Sequence, residues 1–492
     1  MTKNILFLVV AWLVATPLLA DEAQDKKPEL AKPTQEQLAF MDFEIGVFFH
    51  YGLNTYTGQH HGDGLEPASK FNPTALDPEQ WVIAAKSLGA KYAVFTSRHE
   101  EGFCMWPTKT TDYGIAGSPY KNGKGDVVRD FVNACRKHGL KPCLYHTAGF
   151  DGHHTFKPED KEHIEWGDER GRMMCKRFQE MGEEGRKKFI AIQVAQMTEL
   201  LTNYGDITYI WCDHWNPEEP VWREVTETMR KLQPHCIMIG PDISFAGNEQ
   251  GRVVYPAWYA INTVNGDPTG LPDADSIVPG MGDTIIPIGK PFGKVWRGRE
   301  CDITGEFESG DWFWHPPKRE IQPLKEHIDL YYRTVGMGTN LIINLAPDDR
   351  GLLSDQLVTA CKTLGDELRR RFAKPIAEKT TCEPGDTVEL AWSQPCKIDT
   401  VVSMENIANG QKIAGYNLEA WVNGQWTALQ PANDFHDAHA PYPQHPGFET
   451  IGHKKIDRVE PVVTNRIRFH CVKSEAQPVE LRRLAVFCCG PY

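Results

Sequence analysis

EIGVFFHYG at 44–52, PEQWVIAAKSLGA at 78–90 and KYAVFTSRH at 91–99 decide the fold class of this chain. The first and third are short, nearly continuous apolar runs bounded by polar residues, and each ends in or next to a histidine. Between them Trp81, Ala84, Ala85 and Leu88 recur at three- and four-residue steps, which is the spacing of one helix face. A strand without polar alternation is buried on both faces. Two such strands separated by a helix predict a parallel sheet.

The same rhythm continues outward. Further apolar runs are KPCLYHTAG (141–149), ITYIWCDHW (207–215), HCIMIGPD (235–242), VVYPAWYA (253–260), KVWRGRECDI (294–303) and NLIINLAPD (340–348). Helical patterns separate them, among them DVVRDFVNACRKHGL (126–140), GRKKFIAIQVAQMTELLTNYG (185–205), VWREVTETMRKLQP (221–234) and LKEHIDLYYRTVG (324–336). Eight strands alternating with helices predict an α/β chain built on a (β/α)8 TIM-like barrel. The stretch 261–293 is rich in Gly, Pro and Asp without a helical pattern, and reads as a long loop over one sector. After Phe372 the segments shorten and alternate, as in TVELAW, KIDTVVSME and NRIRFHCVK, which predicts a C-terminal antiparallel β-sandwich. The expected organisation is a signal peptide at 1–20, a catalytic barrel at 21–372 and a β-sandwich at 373–492.

Composition narrows the function. Of 492 residues, 41% are hydrophobic and 24% charged, the balance of a globular protein. Lys and Arg number 53 against 66 Asp and Glu, a net charge of −13, and no basic run is present, which argues against nucleic-acid binding. Residues 1–20, MTKNILFLVVAWLVATPLLA, place a lysine before an apolar core and end in small residues, the layout of a secretory signal peptide. Export to the periplasm or beyond is therefore expected, with a soluble chain after cleavage. The 13 cysteines show no metal-binding cadence, and one or two unassigned disulfides are the upper expectation. There is no internal repeat, Walker motif or glycine-rich dinucleotide fingerprint.

Polar residues gather at one end of the predicted strands. His50, His99, His146, Asp213 and Asp242 sit at or just after the carboxyl ends of their runs, and Glu300 lies late in its own. In a barrel that end carries the active site, and buried charge is unfavourable unless it is used or paired. Asp213, flanked by Trp211 and Trp215, suits a nucleophile or general base in an aromatic pocket; its competing role is a cap for the next helix. Glu249 follows the fifth run in a loop between glycines, and Glu300 lies between Arg299 and Asp302, where an ion pair is the plain alternative. Two carboxyls facing one glycosidic bond are the core of glycoside hydrolysis. His50, His99 and His146 with Asp213 could instead hold a metal in a barrel hydrolase, although the first strand carries no His-x-His pair. The pairs His60–His61 and His153–His154 are open to either reading.

FEIGVFFHYGLNTYTG and FNPTALDPEQWVIAAKSLGAKYAVFTSRHEEGFCMW resemble the N-terminal barrel of α-L-fucosidases, glycoside hydrolase family 29. So do KPCLYHT, YIWCD and YYRTVGMGTNLIINLAPDDRGLL, and the likeness covers most of 40–353. GPDISFAGNEQG and RECDITGEFESGDWFWHP look like the subgroup acting on α-1,3/1,4-fucosylated branched glycans. The resemblance implies Asp213 as nucleophile with Trp211 beside it, Glu249 as acid/base and Glu300 as the alternative acid/base. It implies sugar contacts from His50, His99, Glu100, Tyr145 and His146, a retaining mechanism, and no metal or cofactor. The expected partner is a fucosylated oligosaccharide or glycoconjugate. Three departures stand out. The family usually has His-His-Asp-Gly-Phe where this chain has His99-Glu100-Glu101-Gly102-Phe103, a Tyr where His146 stands, and often Arg-Trp at Ser244 and Phe245. A barrel that binds carbohydrate without cleaving it is the non-enzymatic alternative.

Overall fold

The computed structural model describes residues 30–163, 168–213, 220–245, 253, 255–256, 258–261, 295–296, 298–303, 312–316, 320–432 and 448–491. Helix α1 (Gln35–Met41) begins at a reciprocal Thr34–Gln37 capping box and buries Phe40 and Met41. β1 (Ile45–Phe49) follows and is buried along its whole length, as its unbroken apolar run requires. A short α2 (Asn54–Thr57) leads to α3 (Pro78–Leu88), which starts on an Asp77 cap with Pro78 in its first turn and stops at Gly89 in the left-handed region. β2 (Tyr92–Arg98), α4 (Val127–His138), β3 (Lys141–His146), α5 (Gly152–Thr155), α6 (Asp168–Glu180), α7 (Gly182–Asn203), β4 (Tyr209–Trp211), α8 (Pro220–Leu232) and β5 (Ile237–Met238) continue the alternation. Inside β1, Gly46 makes room for the Tyr92 ring: a Cβ there would lie 2.1 Å from Tyr92 Cζ.

β6 (Ile243–Phe245), β9 (Gly298–Ile303) and β10 (Asn340–Asn344) complete an eight-stranded sheet of order β5-β4-β3-β2-β1-β10-β9-β6, with every pairing parallel. A bridge between Ile239 and Ile243 joins its two ends, so the sheet curls into a barrel. Of the run 253–260, read from sequence as the sixth strand, no described residue is in this sheet; Ile243–Phe245 takes its place. Pro256 has no N–H to give to a ladder, and the tyrosines around it reach the C-terminal region instead. Tyr255 OH donates to Thr450 O at 2.8 Å, and Tyr259 OH donates to Gly338 O and accepts from His453 N. What the structure describes of this stretch ends in β7 (Ala260–Ile261), paired antiparallel with β8 (Val295–Trp296). Apart from Ile261, the predicted loop 261–293 lies outside the described residues.

Helix α9 (Leu324–Arg333) precedes β10, and α10 (Asp355–Phe372) closes the barrel layer against α3. The antiparallel strands β11 (Ala377–Thr380), β12 (Thr387–Glu405), β13 (Ile413–Val422), β14 (Gln425–Ala428), β15 (Lys455–Ser474) and β16 (Leu481–Phe487) follow, in order β11-β16-β12-β15-β13-β14. β12 and β15 are long and change register between Ala391 and Cys396 and again between Ile398 and Thr400. On its other edge β12 pairs with β16 from Thr400 to Glu405, and β15 pairs with β13 from Ile467 to Ser474, around a core of Val388, Ile398, Leu418, Phe469 and Leu484. The sandwich also feeds the barrel core through Val402, Met404, Ile456 and Phe487. The described cysteines are all free thiols. No described helix is long and apolar enough to cross a membrane.

Candidate active site

The carboxyl ends of β1, β2, β3, β4 and β10 converge on one cluster of rings and charges. β4 ends at Trp211, and Asp213 lies two residues beyond it. The Asp213 carboxylate accepts a 2.6 Å hydrogen bond from Tyr145 OH on the neighbouring β3. Thr147 Oγ1 donates to the same phenol oxygen at 2.9 Å, which leaves the phenol proton for Asp213. Burial, and then the nearby charges of Asp213 and Glu100, push the Tyr145 phenol well above its ordinary value, so it donates rather than ionises.

His50 stands at the end of β1. Its Nδ1 is 2.8 Å from Asn344 Oδ1 on β10, while Asn344 Nδ2 donates to Trp312 O at 2.8 Å. An amide oxygen only accepts, so His50 carries its proton on Nδ1. The imidazole packs against Phe48, Trp312 and Phe313 at ring separations of 4.7, 4.8 and 5.5 Å. His99, just past β2, stacks on Tyr145 at 5.2 Å and meets Phe313 edge-on at 5.0 Å. Its Nδ1 lies 3.6 Å from Glu101 Oε2, which also accepts from Asn54 Nδ2 at 3.2 Å. Burial opposes a charge on His99, but Glu101, Glu100 and Asp213 outweigh it and raise its pKa above 6.5. Trp211 closes the floor, with Phe48 edge-on to it at 5.0 Å.

The sequence candidates thus divide. Asp213, Trp211, Tyr145, His50 and His99 are brought together. His146 is not: side chains alternate along a strand, so with Tyr145 facing the cluster His146 turns to the helix layer. There it is fully buried beside Trp106 and Ser97, with no partner at Nε2, and burial first, then Arg98, holds its pKa well below 6.5. Asp242 is likewise committed elsewhere, accepting both 2.7 Å bonds from Arg230 Nη2 and a third from Met238 N. Glu100 lies beside the cluster with its carboxylate held by Arg170 and His61. Glu249 lies outside the described residues, as does the side chain of Glu300, whose backbone sits in β9 opposite Asn340 and Phe245. His153 stacks on Tyr113 at 4.1 Å, and His154 pairs with Asp151 at 2.7 Å, both in structural roles.

Asn344, Asn54, Trp312 and Phe313 escaped the sequence reading. Asn344 was within reach of it, as the polar end of an otherwise apolar eighth run. Trp312 and Phe313 belong to a loop whose approach to His50 only the fold creates. A carboxylate oriented by a phenol in a pocket walled by aromatic rings and imidazoles can attack an electrophilic carbon while the imidazoles bind hydroxyls. Among the described residues no group of three or more His, Cys, Asp or Glu is placed to hold a metal ion.

Comparison with known proteins gives the same direction. Residues 65–241 match the family model described as alpha-L-fucosidase. The chain is 29% identical to alpha-L-fucosidase 1 of Arabidopsis thaliana over 72% of its own length, and spans 63% of that relative. A putative alpha-L-fucosidase structure from Bacteroides thetaiotaomicron VPI-5482 superposes with a TM-score of 0.75 at 29% identity, covering 93% of this chain and 99% of that one. A glycoside hydrolase 29 family member from an unknown rumen bacterium gives 0.76 at 28% identity, covering 95% and 79%. The proteins this chain is similar to, in sequence and in structure, are thus described as alpha-L-fucosidases and as a glycoside hydrolase 29 family member.

Proposed function

We propose that this chain is an exported retaining α-L-fucosidase that removes terminal α-1,3/1,4-linked fucose from branched glycans. The observation that carries the reading is the Asp213 carboxylate, at the carboxyl end of β4, held at 2.6 Å by a phenol that stays protonated. A carboxyl with one oxygen tied down by a neighbouring phenol is held in one orientation. Asp213 attacks the anomeric carbon and forms a fucosyl-enzyme, while a second carboxyl protonates the leaving oxygen and then activates water. Glu249 takes that second role, with Glu300 as its alternative. His50 and His99 bind the sugar hydroxyls, and Trp211 packs against the apolar face of the ring.

Asp213→Ala is expected to lower kcat on an aryl α-L-fucoside by on the order of 10⁴-fold with an unchanged melting temperature. A variant that turns over normally removes Asp213 from the mechanism. Azide assigns the acid/base: of Glu249→Ala and Glu300→Ala, only the variant lacking the true acid/base regains activity with it. The anomer released first, followed by NMR on a panel of fucosylated oligosaccharides, decides retention and linkage together. Binding of those oligosaccharides with no cleavage of any would favour a non-catalytic barrel. Export is tested by cell fractionation, with the mature amino terminus expected after Ala20.

A further inference from the structure

Beside the ring cluster lies a chain of charges that the proposed reaction does not use. Glu100 Oε2 accepts from Arg170 Nη2 at 2.9 Å, and Glu100 Oε1 faces His61 Nδ1 at 3.2 Å. Arg170, on α6, also donates to Gly62 O at 2.9 Å, and its guanidinium lies over the Phe150 and Phe156 rings at 5.5 and 5.2 Å. The side chains of Glu100 and Arg170 are 4% and 7% exposed, whereas that of His61 is 24% exposed. A ligand at this rim meets the imidazole before it meets the carboxylate.

The loop that carries His61 is pinned. Gln59 Nε2 donates to Asp63 Oδ2 at 3.2 Å, Asp63 Oδ1 accepts from Leu65 N at 2.8 Å, and Asn54 Nδ2 donates to His60 O at 3.3 Å. Gly62 sits at φ +75°, and a Cβ there would lie 2.4 Å from Asn54 Oδ1 and 2.5 Å from Glu101 Cβ. The loop therefore approaches the end of β2 as closely as bare backbone allows. The His61 ring lies 22° from parallel to His99 at 6.5 Å, and His99 in turn stacks at 15° on Tyr145, the donor to Asp213. His61 is the outer ring of a wall that runs inward to the proposed nucleophile.

We propose that His61 is a substrate-contacting residue at the rim of the sugar pocket, and that Glu100, anchored by Arg170, is the positioning residue that fixes its ring. This rests on the fucosidase reading and names the group read, a hydroxyl of the bound glycan. A carboxylate opposite Nδ1 keeps the proton there and makes Nε2 the acceptor of the neutral imidazole. The carboxylate at position 100 thus serves recognition through its neighbour rather than by touching sugar.

The test is a double-mutant cycle in the full chain, with kcat and KM read separately on an aryl α-L-fucoside. His61→Ala is expected to raise KM about tenfold, the loss of roughly one hydrogen bond, with kcat within about threefold of the parent. Glu100→Ala should raise KM similarly in the parent but less than about twofold further in the His61→Ala background, because both act through one contact. Glu100→Gln keeps an acceptor oxygen for His61 and should recover most of the KM. An unchanged KM in His61→Ala, or a Glu100→Ala effect as large without His61 as with it, overturns the proposal. Should Glu100→Ala strand Arg170 and fail to fold, the His61→Ala and Glu100→Gln arms decide on their own. A parent enzyme that neither cleaves nor binds the fucoside defeats the functional reading itself, whereas an active parent with additive effects defeats only this inference.

Discussion

Tyr145 shows how much one side chain decides at this site. Its phenol is the described donor to Asp213, and a hydrogen bond to a charged acceptor contributes about 1.5–3 kcal/mol. Tyr145→Phe is therefore expected to lower kcat roughly 10- to 100-fold while leaving the stacked His99 wall in place. Steady-state kinetics with a melting curve checks it, and an unaltered kcat would show that the phenol does not tune Asp213. The adjacent His146 marks the limit of sequence reading at this scale. A histidine and a tyrosine side by side at a strand end both look like pocket residues, but the two-residue period admits only one of them. The alternation was legible in the sequence; which parity faced inward was not. Glu405 offers a second test. Burial is the largest cause that lifts its pKa from 4.5 to about 7, against backbone N–H bonds from Lys412 and Ile413 that pull it down. A folded value above the unfolded one means this group's stabilising contribution is full below pH 4.5 and is lost as pH rises through about 7. Glu405→Gln, which mimics the protonated acid, should gain on the parent from pH 5 to pH 8 by on the order of 3 kcal/mol, followed by urea unfolding at each pH. A difference that does not grow with pH sinks the assignment.

Elements fit one another here through a few close approaches. α3 and α10 cross at Gly365, where a Cβ would lie 2.0 Å from Ser87 O and 2.9 Å from the Leu88 carbonyl carbon. Both atoms are backbone and cannot swing aside. Gly365→Ala is thus expected to destabilise despite alanine's better helix propensity, by about 1–3 kcal/mol, read as a fall in melting temperature or urea midpoint. A stabilised variant would mean the two helices are free to part. The helices themselves were plain from apolar spacing; the structure shows α3 capped by Asp77 and ended at Gly89, and α4 ended at Gly139. The sixth strand was misplaced because VVYPAWYA is apolar and short enough to pass as one. Its tyrosines are amphipathic, and their hydroxyls bond partners far along the chain, Thr450 O for Tyr255 and Gly338 O with His453 N for Tyr259.

At the scale of the molecule the sandwich is fastened to the barrel by charge and by packing. Lys454 Nζ bonds both Glu44 oxygens at 2.8 and 2.7 Å, Arg482 reaches Asp42 at 2.8 Å, and Phe487 packs on Phe372 at 5.6 Å. Ile456 N also donates to Gly336 O at 2.9 Å, directly ahead of the strand that carries Asn344. Ending the chain at Phe372 is expected to abolish soluble expression of the barrel, since it bares Tyr331, Tyr332 and Phe372 together. A shortened chain that melts like the parent and keeps its activity would reduce the sandwich to an appendage.

Local sequence was enough to settle the alternation of strands and helices, the change to antiparallel strands after the last barrel helix, and the chemistry available at the strand ends. Those features depend on periodicity and residue type, which act over a few neighbours. The choice of Tyr145 over His146, the amide of Asn344 behind His50, and the reach of Arg170 to Glu100 were decided only by tertiary structure. Each joins side chains far apart in the chain, and closing the barrel is what makes them neighbours. Short-range pattern carries no record of which distant partner a polar group will meet.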